Sequence, residues 1–195
     1  VDYRLEQWIN GPAGEHAGLD TFMRDAASWG EWIFIGIVVA WFLYAWLAGT
    51  STDRRGALAA FFGAGIALAV NQIVSHIWDR PRPFVAHPAT VDVLMAYSRD
   101  ASFPSDHAAA GFAIATVLWI VHRRWGALVL AAAVVMSYAR VFVGLHYPGD
   151  VLAGAAVGVL VGWALMRWGQ RPLGAIQDRL DAITGALHRR VPRTP

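Results

Sequence analysis

Three ionisable residues stand close together in an otherwise apolar stretch: Arg140, His146 and Asp150, within Ala139-Arg140-Val141-Phe142-Val143-Gly144-Leu145-His146-Tyr147-Pro148-Gly149-Asp150. Arginine is a permanent cation whose planar fork of donors matches phosphate oxygens. An imidazole becomes a nucleophile or base once an acceptor holds its second ring nitrogen, and Asp150, four residues on, is a candidate acceptor. Pro148 suits the opening of a helix. His146 would then lie just before the first turn and Asp150 inside it, where free amides favour an anion. Taken alone, this cluster fits a structural helix end as well as it fits catalysis.

Two further clusters change the balance. Arg80-Pro81-Arg82-Pro83 follows a stretch that turns polar at Asn71-Gln72-Ile73-Val74-Ser75-His76, and Pro104-Ser105-Asp106-His107 opens another apolar run. Ser105 suits an N-cap with phosphate-binding amides behind it. His107 is a second imidazole able to protonate a leaving oxygen, and the arginine forks suit charge on the oxygens of a transferring phosphoryl group.

The elements that must position these groups are membrane helices. Of 195 residues, 56% are hydrophobic and 15% charged, too apolar for an ordinary soluble domain and short enough for one. Uncharged runs at 32–50 and 56–78 are long enough to cross a bilayer, which takes about 20 residues. Three later runs reach that length only if the chemistry-bearing residues are counted inside them: from Pro104 or Ser105 to Arg123, from Trp125 to Gly144, and from Pro148 to Trp168. That is expected of polar groups facing a cavity within a bundle. The expected fold is an all-α polytopic bundle of about five spans. Residues 1–30 are expected to form short interfacial helices around Leu5/Trp8/Ile9 and Leu19/Phe22/Met23, residues 31–168 the membrane domain, and residues 169–195 an amphipathic basic tail on Leu173/Ile176/Leu180/Ile183/Leu187. A short helix is also expected at 91–97.

All 16 basic residues are arginine, and there is no cysteine for a disulfide or a thiolate metal site. The arginines form no stripe interleaved with aromatics, so nucleic acid is not an expected partner. Arg54/Arg55, Arg123/Arg124 and the tail arginines Arg167, Arg171, Arg179, Arg189, Arg190 and Arg193 share one side of a five-span topology, which the positive-inside rule makes cytoplasmic. The three clusters then meet at the outer face. Gly154, Gly158 and Gly162 form a small-residue face suited first to packing inside the bundle and second to a homodimer. No three-part signal peptide is visible at the start. His16, His122 and His188 read as interface or surface residues, and His87 as a loop residue within reach of a head group.

In order and spacing, Arg80-Pro-Arg82-Pro, Pro104-Ser-Asp-His107 and Arg140-x5-His146-x3-Asp150 resemble the three signature motifs of the type-2 phosphatidic acid phosphatase superfamily. The resemblance implies an all-helical bundle, no metal or other cofactor, and a covalent phosphohistidine. It matches His146 to the nucleophile, Asp150 to its orienting carboxylate and His107 to the acid. Arg82, Ser105 and Arg140 match phosphate ligands. Where the family's first motif usually begins with a lysine, this chain has Ser75, so the phosphate charge is expected to be met by fewer cations, or by Arg80 or His76. Asp106 replaces a usual glycine, with either a helix-start role or one in setting the His107 protonation state. The Arg-Pro-Arg-Pro-Phe84 and Phe-Pro-Ser-Asp-His runs are most similar to the bacterial undecaprenyl-pyrophosphate phosphatases. This implies a lipid diphosphate substrate, membrane lipids as surroundings, and a site at the outer face of the bacterial cytoplasmic membrane. Phosphatidylglycerol phosphate, phosphatidic acid or another polyprenyl-linked phosphate is the alternative substrate. A lipid-phosphate binding or transport protein is the alternative of another class.

Overall fold

The computed structural model describes the backbone of residues 1–190 and side chains through residue 184; Leu187, His188, Arg189, Arg190 and Arg193 of the expected tail lie outside the described side chains. All regular structure among the described residues is helical: α1 (Asp2–Asn10), α2 (Ala17–Leu47), α3 (Ser51–Ile77), α4 (Pro83–Ala86), α5 (Asp106–Val121), α6 (Arg123–Phe142), α7 (Pro148–Trp168) and α8 (Gln170–Arg190).

Among the described residues, four helices are long and apolar enough to cross a membrane: α2, α3, α6 and α7. The fifth expected span, α5, is apolar but has only 16 residues, about 24 Å of helix against a hydrocarbon core of about 30 Å. It sits at the centre instead of the rim. Ala108, Ala109, Ala113, Ala115 and Val117 are fully buried, as suits a helix apolar on all sides. Small residues let its neighbours come close. A Cβ on Gly154 or Gly158 of α7 would lie 2.3 Å from the Ser105 carbonyl oxygen or 2.2 Å from that of Ala109. The glycine face of α7 is therefore taken up within the chain.

Around this centre, Ile35, Val39 and Leu43 of α2, Leu128 and Val134 of α6, and Leu152 and Leu160 of α7 point outward. Water would penalise such a surface and lipid does not. Exposed Trp29, Trp32 and Trp78 mark one end of the bundle, and Trp125 and Trp168 the other, in the manner of interfacial aromatic belts.

Two expectations change. Leu19, Phe22 and Met23 do not form a separate interfacial helix; α2 starts at Ala17 and runs unbroken to Leu47. The turn at Asn10-Gly11-Pro12 ends only α1, and nothing after it interrupts the helix. Residues 91–97 are not helical. Their chain is held by contacts to distant partners, among them Asp92, whose amide donates to Asn10 and whose carbonyl accepts from it. At the opposite end from the site, α8 lies against the start of α3, with Leu173 buried, Arg54 on Asp181 and Arg55 on Gln177. There the Thr50–Asp53 capping box opens α3, and His122 pairs with Asp53.

Candidate active site

The Arg140–Asp150 stretch folds as α6, a tight turn and α7. Gly144 adopts φ +81°, and a Cβ there would come 2.8 Å from Val91 Cγ1, so the turn needs glycine on both counts. The amides of Leu145 and His146 both donate to the Arg140 carbonyl, at 3.1 and 3.3 Å. This fixes the imidazole relative to the arginine six residues earlier. Pro148 opens α7, and the Asp150 carboxylate folds back to accept from the Tyr147 amide at 2.9 Å.

His146 is buried, and its two ring nitrogens face different chemistry. Nδ1 lies 3.0 Å from the Ser102 carbonyl oxygen and 3.6 Å from Asp150 Oδ2. A carbonyl can only accept, so Nδ1 carries the proton and donates to it. Nε2 is then the unprotonated nitrogen. It accepts from Arg82 Nη1 at 3.0 Å, with Arg140 Nη2 at 3.4 Å. Burial, joined by the two guanidinium charges, holds this imidazole down to about 4 against the pull of Asp150. The ring is thus neutral near neutral pH, with a lone pair between two cationic forks.

Asp150 is fully buried and does more than face His146. It accepts from Arg80 Nη1 at 2.7 Å and from the Ser102 hydroxyl. Arg80, expected as a phosphate ligand standing in for the absent lysine, is placed differently. Its fork bridges Asp150 and Asp2, each at 2.7 Å, and its guanidinium stacks 3.8 Å from the Tyr147 ring centroid. The reason is local: two carboxylates and an aromatic face use up the cation behind the turn.

Arg82 and Arg140 are held from below by one ring. Each guanidinium carbon lies 4.5 Å from the Tyr97 centroid. Arg82 also donates to Leu145 O and pairs with Asp100, both at 3.0 Å. Among the described residues, Arg140 Nε and the buried Ser105 hydroxyl have no hydrogen-bond partner, which leaves donors near the site unused.

A cavity of about 380 Å³ gathers these groups. Arg82, Tyr97, Asp100, Asp106, His107 and His146 line it, together with Ser75 and His76 from the end of α3. The two imidazoles named from sequence therefore face one space. Asp106 is fastened to α3 by Asn71 and Gln72, at 3.0 and 3.1 Å, while Ser75 and His76 bond the Gln72 carbonyl of their own helix. His87 stacks on Tyr3, at 3.7 Å. Sequence reasoning missed Ser102, Tyr97, Asp100 and Asp2. The first three lie in the connection before α5, where no periodicity marks them.

A second space, an apolar groove of about 720 Å³ between α2 and α3, opens onto the same site. Phe34, Val38, Phe61 and Phe62 line its length, and Tyr97, Asp106 and His107 its end.

The family model for the PAP2 superfamily matches residues 56–173, which contain all three motifs. The chain belongs to the PAP2 superfamily. Over 96% of its length it is 30% identical to undecaprenyl-diphosphatase BcrC of Bacillus subtilis, of which it covers 95%. Among solved structures, LpxE of Aquifex aeolicus superposes with a TM-score of 0.67 over 86% of this chain and 95% of that one, at 24% identity. A PAP2-type phosphatidylglycerolphosphate phosphatase of Bacillus subtilis superposes with a TM-score of 0.61 over 86% of each chain, at 20% identity. At those identities the two structures speak for the fold. This PAP2 protein is a multi-pass membrane phosphatase, and its motifs meet at the cavity lined by Arg82, His107 and His146, with Arg140 behind His146.

Proposed function

We propose that the protein hydrolyses undecaprenyl diphosphate to the monophosphate and inorganic phosphate through a phosphohistidine. The observation that carries the reading is the His146 Nε2 lone pair, neutral, buried, and 3.0 Å from the Arg82 fork. Near-complete alignment with an undecaprenyl-diphosphatase supports the substrate, as does the apolar groove that ends beside His107.

In the first step Nε2 attacks the terminal phosphorus in line, a P–N bond forms, and the bond to the bridging oxygen breaks. His107 gives its proton to the departing oxygen. Arg82 and Arg140 turn from Nε2 to the equatorial oxygens and meet the charge that spreads there. Asp150 and the Ser102 carbonyl hold the Nδ1 proton, so the ring can carry positive charge once Nε2 is phosphorylated. In the second step water attacks phosphorus, His107 takes a water proton, and the P–N bond breaks to release phosphate and restore both histidines. No metal enters this scheme, and the two guanidiniums at Nε2 make its immediate surroundings a poor cation site.

The site lies at the end of the bundle away from Arg54, Arg123 and Arg171. Under the positive-inside rule that supports an outward-facing site, suited to recycling a carrier lipid during cell wall synthesis. Phosphate release from undecaprenyl diphosphate, its monophosphate, phosphatidylglycerol phosphate and phosphatidic acid, each with and without EDTA, tests the reading. The diphosphate should lead, EDTA should have no effect, and His146→Ala should lose both turnover and an acid-labile phosphoprotein. A glycerolipid phosphate in first place overturns the substrate, loss with EDTA overturns the metal-free mechanism, and an active His146→Ala overturns the nucleophile.

A further inference from the structure

One carboxylate reaches the proposed acid from outside the motifs. Glu31 lies on α2, beyond residues 56–173 that the family model matches, and its Oε2 is 3.5 Å from His107 Nε2. Among the described residues it is the one carboxylate in ion-pair contact with that imidazole. Asp106, next to His107 in sequence, has its two oxygens on Asn71 and Gln72.

The position of α2 is built closely enough to hold Glu31 there. Gly30 sits where a Cβ would come 2.6 Å from Met136 Cγ, so α2 lies tight on α6. One turn earlier the Ala27 carbonyl accepts from Arg140 Nη1 at 3.4 Å. One face of α2 therefore touches the site twice, through a carbonyl on Arg140 and a carboxylate on His107. Glu31 also lines the mouth of the apolar groove, beside Phe34 and Tyr97.

The chemistry calls for such a group. An acid must hold its proton until the P–O bond breaks, yet two permanent cations lie close by: Arg82 lines the cavity with His107, and Arg140 lies behind it on His146 Nε2. Arg82 comes from the start of α4, Arg140 from α6, and His146 from the turn before α7. Like charges disfavour an imidazolium, and an adjacent carboxylate favours it. Asp100 is spent on Arg82, Asp106 on α3, and the Tyr97 ring lies against both guanidiniums. Among the described residues, only α2 supplies a counter-charge on the His107 side.

We propose that Glu31 is a positioning residue that keeps the acid proton on His107 Nε2 between turnovers, where the groove meets the phosphate cavity. The inference rests on the reading of His107 as the acid. The leaving oxygen takes the proton from Nε2 as its bond to phosphorus breaks. The water consumed in the second step returns a proton to Nε2, and Glu31 again pairs with the imidazolium. Glu31 itself touches no reacting atom.

Leaving-group dependence isolates this role. An alkyl phosphate such as dioctanoyl phosphatidic acid needs a proton on its departing oxygen, and p-nitrophenyl phosphate does not. With purified protein in detergent, Glu31→Gln should lower kcat on the alkyl substrate about tenfold above neutral pH, and the alkaline limb of its profile should move down by about one pH unit. On the aryl substrate the loss should shrink to about twofold, and Glu31→Asp should recover most alkyl activity. Equal losses on both substrates, or an alkaline limb that does not move, overturn the proposal. A His107→Ala variant as active as wild type on the alkyl phosphate overturns instead the acid role on which the proposal stands.

Discussion

Glu6 offers the sharpest test of how the N-terminal helix is attached to the site. It is fully buried in α1, and neither carboxyl oxygen has a hydrogen-bond partner among the described residues. Burial first, and then the neighbouring Asp2 charge, raises it from 4.5 to about 7. Below 4.5 the group is neutral whether α1 is docked or free. Between 4.5 and 7 the free helix ionises while the docked one keeps its proton, so docking weakens as pH rises. Above 7 the docked state carries the whole cost of a buried charge, up to about 3 kcal/mol at about 1.4 kcal/mol per pH unit. Glu6→Gln should abolish this dependence. The assay is hydrogen exchange, corrected for intrinsic rates, at α1 and at the Gly149 amide, which donates to Asp2 at 2.8 Å. Wild-type protection should fall relative to Glu6→Gln across the window, by on the order of a hundredfold if the full cost is felt. Parallel curves for the two proteins would refute the assignment of Glu6 as the titrating group.

Three further outcomes follow from the geometry. Because the His146 ring is held down to about 4, its carbethoxylation by diethyl pyrocarbonate in a His107→Asn background should titrate near 4; a midpoint at the ordinary 6.5 would contradict the buried, cation-flanked placement. Arg82→Lys should cost about a hundredfold in kcat, because a single ammonium cannot serve Asp100, the Leu145 carbonyl and a phosphate oxygen together, and near-normal turnover would show that the fork is dispensable. Gly158→Val should destabilise the bundle by about 3 kcal/mol, since its Cβ would meet backbone of α5 at 2.2 Å, and an unchanged melting curve in detergent would place α5 and α7 further apart than described.

The helix bundle was legible because lipid imposes long uncharged runs, and the short runs pointed to residues that now line one cavity. α5 marks the limit of that logic. The run from Pro104 or Ser105 to Arg123 reaches nearly the length of a span, and the helix within it has 16 residues, with its polar start sunk among its neighbours. Local periodicity also split what the chain joins, because the polar residues between Met23 and Trp32 read as interface while the helix passes straight through them. Site members outside the motifs were invisible for a different reason. Ser102 meets Asp150 48 positions away, and Glu31 meets His107 across two helices. Such pairs leave no spacing signal in one sequence.

Arg80 shows how one substitution redistributes a site. With serine at position 75, two buried guanidiniums already flank His146 Nε2, and a third cation beside them would add repulsion unless an anion were bound. Arg80 avoids that cost by facing away, onto Asp2 and Asp150. There it neutralises a carboxylate with no exposed surface by holding Oδ1, which leaves Oδ2 facing His146. Its influence on the phosphoryl group is then exerted through the imidazole. Arg80→Ala should accordingly lower kcat with little change in KM, by about tenfold, as expected for a lost orienting contact. A rise in KM alone would instead make Arg80 a direct phosphate ligand and return it to the role that the motif spacing suggests.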